Sequence, residues 1–245
     1  PNAAMATQVT SDLPIVAERS MYFNGGGHGS TGVTEARAQW YLAEGFTGGG
    51  FDTWLLLMNP NQASAQAVVT FFKEDGATTI RNFDLLPRSR LNIYANQIVP
   101  NVAFSTRITS TLPIVAERAM YFGAQGQRGG HNSEAAASPA RVWTLAEGAT
   151  VSPFNTFVLV MNPNSVAANT VVTFLKEDGS TVVRSFAIAP TSRFTIWVNQ
   201  IVPNAALSTI VISDQPVVVE RAMYFGNGGT DALGIPAGDA AARRR

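Results

Sequence analysis

A two-residue period dominates the apolar positions of this chain. In RLNIYAN, Leu91, Ile93 and Ala95 fall on one face and Asn92 and Tyr94 on the other, and about a hundred residues later Phe194, Ile196 and Val198 alternate with Thr195 and Trp197. Such alternation predicts half-buried strands. TWLLLMN and TFVLVMN are short apolar runs closed by Asn-Pro, which suits a central strand running into a turn. KEDG, at 73–76 and again at 176–179, lies between two strand-like runs and carries the Asp-Gly signal of a hairpin. The pattern predicts strands at about 40–44, 52–58, 66–73, 78–85, 90–95, 104–110 and 113–122. Seven short strands per copy predict an all-β chain of two tandem immunoglobulin-like antiparallel β-sandwiches, preceded by an N-terminal two-strand segment. Helix is expected only in TEARAQ and SEAAA.

The copies are a duplication. Residues 40–122 align without a gap on 143–225, with 47 identities in 83 positions, too many for chance resemblance between strands. A third, partial copy is shorter: LPIVAERSMYF at 13–23 returns as LPIVAERAMYF at 112–122 and QPVVVERAMYF at 215–225. The chain therefore holds three tails and two heads. Between copies the composition shifts to Gly, Ala, Ser and polar residues, the mark of linkers. The expected division is an orphan tail over 1–23, a linker over 24–39, a sandwich over 40–122, a linker over 123–142, a sandwich over 143–225 and a flexible tail over 226–245.

Composition narrows the function classes. The chain has 245 residues, 46% of them hydrophobic, enough for packed cores. Seventeen basic and seventeen acidic residues cancel, so no long-range field draws the chain to nucleic acid. There is no cysteine, which excludes disulfides and thiolate metal sites. No apolar run reaches the length of a membrane span. The chain opens at Pro1 without an initiator Met or a signal-like segment, and reads as a processed or excised piece.

Candidate chemistry is sparse. Glu44, Arg90, Glu117 and Arg118 recur as Glu147, Arg193, Glu220 and Arg221. Arg118 shares a strand face with Ile114, Met120 and Phe122, so it needs a partner, and Glu44 or another carboxylate common to the copies is expected to pair with Arg90 or Arg118. An enzyme reading would make Glu44 and Glu117 a glycosidase acid and base, but nothing fixes their separation and the pair would have to work twice. His28 and His131 occupy equivalent GGH positions where Thr230 stands in the third linker; neither has a second ligand nearby, so a turn or interdomain contact is expected rather than a metal or a catalytic base. Tyr94 and Trp197, on the outer face of one strand, are candidates for stacking on a sugar ring. No catalytic residue, metal ligand or cofactor is assigned.

WYLAEG, MNPN, SRLNIYANQIVPN, VAERAMYF and the GGH linker together resemble the tandem repeats of a bacterial surface-protein family, found in long extracellular proteins and sometimes beside cell-wall enzymes. The resemblance covers both copies and the orphan tail. It implies an extracellular β-sandwich repeat and supplies no catalytic residues. The third linker departs from it, lacking GGH and ending in ARRR.

The surplus tail carries the functional expectation. A lone two-strand piece with one apolar face is marginal in water, so its inward residues Thr7, Val9, Ile15, Ala17, Arg19, Met21 and Phe23 need a surface. That surface is a missing upstream head, the sheet edge of another subunit entered by strand addition, or the chain's own first domain. The expected protein is a non-enzymatic, extracellular filament or surface-layer subunit that self-associates into a homopolymer or longer array; the alternative is an adhesin or carbohydrate-binding module in contact with cell wall or glycan.

Overall fold

A computed structural model describes residues 3–23, 26–123 and 129–237. An N-terminal hairpin comes first, β1 (Glu18–Phe23) and β2 (Gly26–Thr31). Unit 1 follows as β3 (Arg37–Leu42), β4 (Phe51–Asn59), β5 (Ala65–Lys73), β6 (Thr78–Leu85), β7 (Ser89–Tyr94), β8 (Phe104–Phe122) and β9 (Gly129–Glu134). Unit 2 repeats it as β10 (Ala140–Leu145), β11 (Phe154–Asn162), β12 (Ala168–Lys176), β13 (Thr181–Ile188), β14 (Ser192–Trp197), β15 (Leu207–Phe225) and β16 (Gly228–Leu233), with a short β17 (Ile235–Pro236). Among the described residues the only helical pieces are two three-residue 3₁₀ turns, and every strand pairing is antiparallel.

Each unit is a sandwich of two sheets that share one strand. The first half of β8 lies between β5 and β3, while its second half lies between β4 and β9. Strands β6 and β7 complete the two sheets at their edges. The sequence reading broke this strand at residues 111–112, but it runs unbroken for 19 residues. Its ladder partners end at Ser110 and resume at Ile114, so Pro113 sits where no strand bond is required of it. The Pro marks the crossing between sheets. Trp40, Leu42, Val69, Phe71, Phe104, Ile108 and Ile114 from one sheet meet Leu55, Leu57 and Ile93 from the other in one core.

Short polar motifs fix the corners. In MNPN the buried Asn59 donates from Nδ2 to the carbonyls of Ala63 (2.9 Å), Leu85 (3.2 Å) and Leu86 (2.9 Å), and its Oδ1 accepts from the Asn61 backbone N–H. Asn162 repeats the set. In KEDG, Gly76 takes φ +80° and the Asp75 carboxylate accepts from Ala77 N–H, closing the β5–β6 hairpin. Removing the Asn59 side chain leaves three carbonyls without their donor. Asn59→Ala should therefore cost about 2–3 kcal/mol, read as an earlier urea midpoint, and Asn162→Ala should match it.

Three expectations are corrected. The stretches read as linkers contain β2 and β9, and the tail read as flexible contains β16 and β17, while residues 238–245 lie outside the described part. Glycine-rich composition suggested slack chain, whereas these glycines let strands pack closely, as shown below. TEARAQ and SEAAA are not helical: Ser133 and Glu134 belong to β9, and Ala136 bridges to Tyr41. In the orphan tail only residues 18–23 form a strand; residues 3–17 have no strand partner, and Met5, Val9, Leu13, Ile15 and Val16 are exposed. Their counterparts in β8 and β15 are paired by strands of a head, and the first tail has none.

Candidate functional site: the junction between units

Among the described residues, most buried charged side chains gather where unit 1 meets unit 2. Arg118 in β8 has a fully buried side chain. Its Nη2 lies 2.9 Å from Glu44 of its own unit and 3.0 Å from Asp231 of unit 2; its Nη1 donates to Glu220 of unit 2 at 2.6 Å and to the Glu44 carbonyl at 3.0 Å. Glu220 reaches back to accept the Ala43 backbone N–H at 2.6 Å. Tyr224 donates to Glu44 at 2.9 Å, and His131 Nε2 lies 3.2 Å from the Tyr224 hydroxyl. Arg193 also crosses the junction, donating to the carbonyls of Gly45 (2.6 Å) and Phe104 (3.2 Å). Tyr41, Ala43, Phe72 and Ala136 of unit 1 pack into the core of unit 2.

Electrostatics follow from enclosing three carboxyls around one guanidinium. Burial opposes the Arg118 charge, but Glu220, Asp231 and Glu44 outweigh it and hold the guanidinium protonated. Burial also opposes ionisation of Glu44; the charges of His131 and Arg118, with hydrogen bonds from Asp231 and Tyr224, nevertheless bring it down to about 2. Burial lowers His131 to about 4, so at neutral pH it is uncharged and Arg118 is the cation that Glu44 faces. Asp231 is pushed well above the usual carboxylate range by burial and by the negative charges of Glu44 and Glu220, against the pull of Arg118. Glu44, His131 and Asp231 bring potential metal-ligand atoms within 4.8 Å of one another. Two of the three, Glu44 and Asp231, already face the Arg118 guanidinium, at 2.9 and 3.0 Å.

The same junction occurs a second time. The hairpin β1–β2 packs on unit 1 as β8–β9 packs on unit 2: Arg19 pairs with Glu117 at 3.1 Å, His28 Nε2 lies 3.4 Å from the Tyr121 hydroxyl, and Phe23 meets Tyr121 edge-on at 5.3 Å. Phe122 meets Tyr224 edge-on at 5.2 Å in the other copy. Asn132 stands where Asp231 stands, with Nδ2 toward His28 Nδ1 (2.7 Å) and Oδ1 accepting from Arg19 (3.0 Å). What the N-terminal hairpin lacks is the head. Arg90, the counterpart of Arg193, is half-buried beside Arg19, Glu117 and Tyr121, and burial lowers its pKa.

Alternation along each hairpin explains its two-sidedness. Neighbouring residues of a strand point to opposite faces, so Glu117 and Tyr121 look back to the preceding copy while Arg118 and Phe122 look forward to the next. In β9, Gly130 and Asn132 look back and His131 forward. A Cβ on Gly130 would lie 2.9 Å from the Phe23 ring, and one on Gly229 would lie 2.6 Å from the Phe122 ring. The second glycine of each pair is thus the seat of the preceding copy's Phe. Strand β9, enclosed on both sides, is buried from Gly129 to Ser133, whereas β1 and β2 alternate between covered and open positions.

Of the other candidates, Arg221 pairs with Glu147 at 2.7 Å, within unit 2. Glu117 and Glu44 lie on opposite sides of β8, one held by Arg19 and the other by Arg118. Tyr94 stacks on Trp54 at 4.6 Å and donates to Asp52, so its ring is taken up within unit 1. Trp197 is 42% exposed and stacks on Phe157. Of the proposed tail residues, Arg19 and Phe23 sit in the first junction, and Thr7, Val9 and Ile15 are exposed. Sequence reasoning passed over Tyr121, Tyr224, Asn132 and Asp231. The signal was available in the Gly-Gly that follows Tyr-Phe in all three copies, three residues after the Phe in the first and third and seven after it in the second.

No known protein family matches the sequence, and no curated protein matches it. Among solved structures the chain is similar to Thermotoga maritima 1070 (22% identity, 40% of this chain and 96% of that one, TM-score 0.38). It is also similar to the Anabaena sensory rhodopsin transducer (21%, 35% and 83%, 0.31) and to a tryptophan-to-phenylalanine variant of B. subtilis oxalate decarboxylase (9%, 81% and 68%, 0.22). TM-scores this low carry no argument about what the chain does.

Removing Arg118 strands three carboxyls, so Arg118→Ala should destabilise the chain by about 3–5 kcal/mol, read by urea unfolding. Asp231→Asn, which installs the residue found at 132, should be tolerated. The folded state holds the Asp231 proton to higher pH than the unfolded chain, so its contribution falls as pH rises above about 4. The stability of Asp231→Asn relative to the parent should therefore grow with pH above that point, measured as urea midpoints from pH 4 to 8.

Proposed function

We propose that this chain is a non-enzymatic structural protein of the cell exterior, a subunit of a filament or layer built head to tail, with residues 1–23 extending the array by β-strand addition. The observation that carries the reading is the junction made twice with the same residue types: Arg to Glu, Phe to Tyr, His to Tyr, Phe on Gly. A contact that joins unlike faces leaves a free face at each end and propagates in one direction wherever its rotation does not close a ring. Residues 3–17 belong to no strand and expose Met5, Val9, Leu13, Ile15 and Val16, a segment available to complete a sheet elsewhere. The resemblance of the repeats to bacterial surface proteins supports an extracellular setting. Among the described residues no helix is long and apolar enough to cross a membrane.

The exposed indole of Trp197 favours a second reading, a carbohydrate-binding module of an adhesin. Trp197→Ala abolishing binding on a glycan array would establish it. For the structural reading, the full chain and a version lacking residues 1–23 are compared by negative-stain electron microscopy and light scattering. Regular fibres from the full chain and folded monomers from the truncation are expected; equal monomers from both would refute assembly through this segment.

A further inference from the structure

The two ends of the chain carry the two halves of the junction found inside it. At the N-terminal end, the backward face of the first hairpin presents Glu18, Tyr22 and Gly27, the counterparts of Glu117, Tyr121 and Gly130 and of Glu220, Tyr224 and Gly229. Among the described residues nothing covers this face, and Tyr22 is 84% exposed. At the C-terminal end, the forward face of β15–β16 carries Phe225 and, beneath the exposed Glu147 side chain, the largely buried Arg221, the counterparts of Phe122 and Arg118. Phe225 is 36% exposed, whereas Phe122, covered by unit 2, is buried. Glu147 holds Arg221 as Glu44 holds Arg118.

We infer that the C-terminal hairpin of one copy docks on the N-terminal hairpin of a second copy, repeating the internal junction between chains. Phe225 seats on Gly27 and meets Tyr22 edge-on, and Arg221 pairs with Glu18. The occupant is another copy of this chain because the Arg and Phe of one face and the Glu, Tyr and Gly of the other are the residues that meet in the internal junction. Two positions differ. Thr230 replaces the histidine, so a hydroxyl faces the Tyr22 hydroxyl, and Gly29 replaces Asn132 or Asp231, so Glu18 is the carboxylate that Arg221 meets. The inference rests on the head-to-tail reading and adds the contact that sets its polarity and register. Residues 3–17 of the second copy are not used by this contact and stay available for strand addition.

The test is photo-cross-linking of the full chain with p-benzoylphenylalanine placed at position 22, with mass spectrometry of the captured peptide. The same probe at position 121 is the control, because Tyr121 lies against Phe23 within one chain. Capture of residues 221–230 from another chain is expected, together with about tenfold weaker self-association in Tyr22→Ala and Glu18→Arg; both side chains are exposed, so the fold is spared. If the chain assembles but position 22 captures nothing in 221–230 and the two variants assemble normally, the hairpin contact is wrong while head-to-tail assembly stands. If the chain remains monomeric in light scattering and yields no interchain capture, both fall.

Discussion

The guanidinium of Arg118 is the point on which the arrangement of the two units depends. It is closed off from water, and an unpaired buried cation would be costly enough to prevent packing. Its partners come from both sides: Glu44 and its carbonyl from one unit, Glu220 and Asp231 from the other. Apolar contacts at the junction tolerate small slips, but a planar fork with fixed donor directions does not. The polar cluster therefore sets the register of one unit on the next, and the aromatic residues Phe122 and Tyr224 fill the space around it. Tyr224 links the two roles, since its ring packs on Phe122 and Phe51 while its hydroxyl holds Glu44.

The long shared strand carries this constraint from one junction to the next. The even-numbered side of β8 that buries Phe104, Ile108 and Ile114 in the core of unit 1 continues past Pro113 as Arg118, Met120 and Phe122. Because the strand stays extended through the crossing, alternation is never lost, and the orientation of Arg118 is tied to the packing of the core below it. The hairpin β8–β9 is thus a thin two-faced layer with a neighbour on each side. A glycine pair at its turn is what permits such close stacking, because any side chain at Gly130 would strike Phe23.

Much of the fold was legible because it rests on local rules. Alternation in RLNIYAN marked a strand, Asn-Pro marked its exit, and Asp-Gly marked the hairpin after Lys73; all three lie within a few residues of the structure they cause. Pro113 misled for the same reason, since a proline between two apolar runs reads as a break unless one knows that no strand bond is needed there. The glycine-rich segments misled because composition reports chain freedom and says nothing about a neighbour's ring. At the junction, an Arg on an apolar face announced that it needed a carboxylate. That Glu220, 102 residues away in the next copy, would be one of them depends on how whole units stack, which no window of sequence contains.

Copy-to-copy differences become meaningful once each position has a direction. His131 faces the unit ahead and Asn132 the unit behind, so changes at these adjacent positions act on different junctions. In the third hairpin both have changed, to Thr230 and Asp231. Asp231 acts backwards: it adds a carboxyl to a site where Glu44 and Glu220 already flank one Arg, and burial with those two negative charges pushes its pKa up. Thr230 acts forwards, removing the imidazole that elsewhere meets the next copy's Tyr. An internal junction enclosed by a whole unit can carry a dense buried ion cluster, because the surrounding cores supply the apolar burial that such a cluster does not. A junction made by hairpins alone has less surface to bury, and a lighter set of one Arg–Glu pair and one Phe–Tyr–Gly contact suits it.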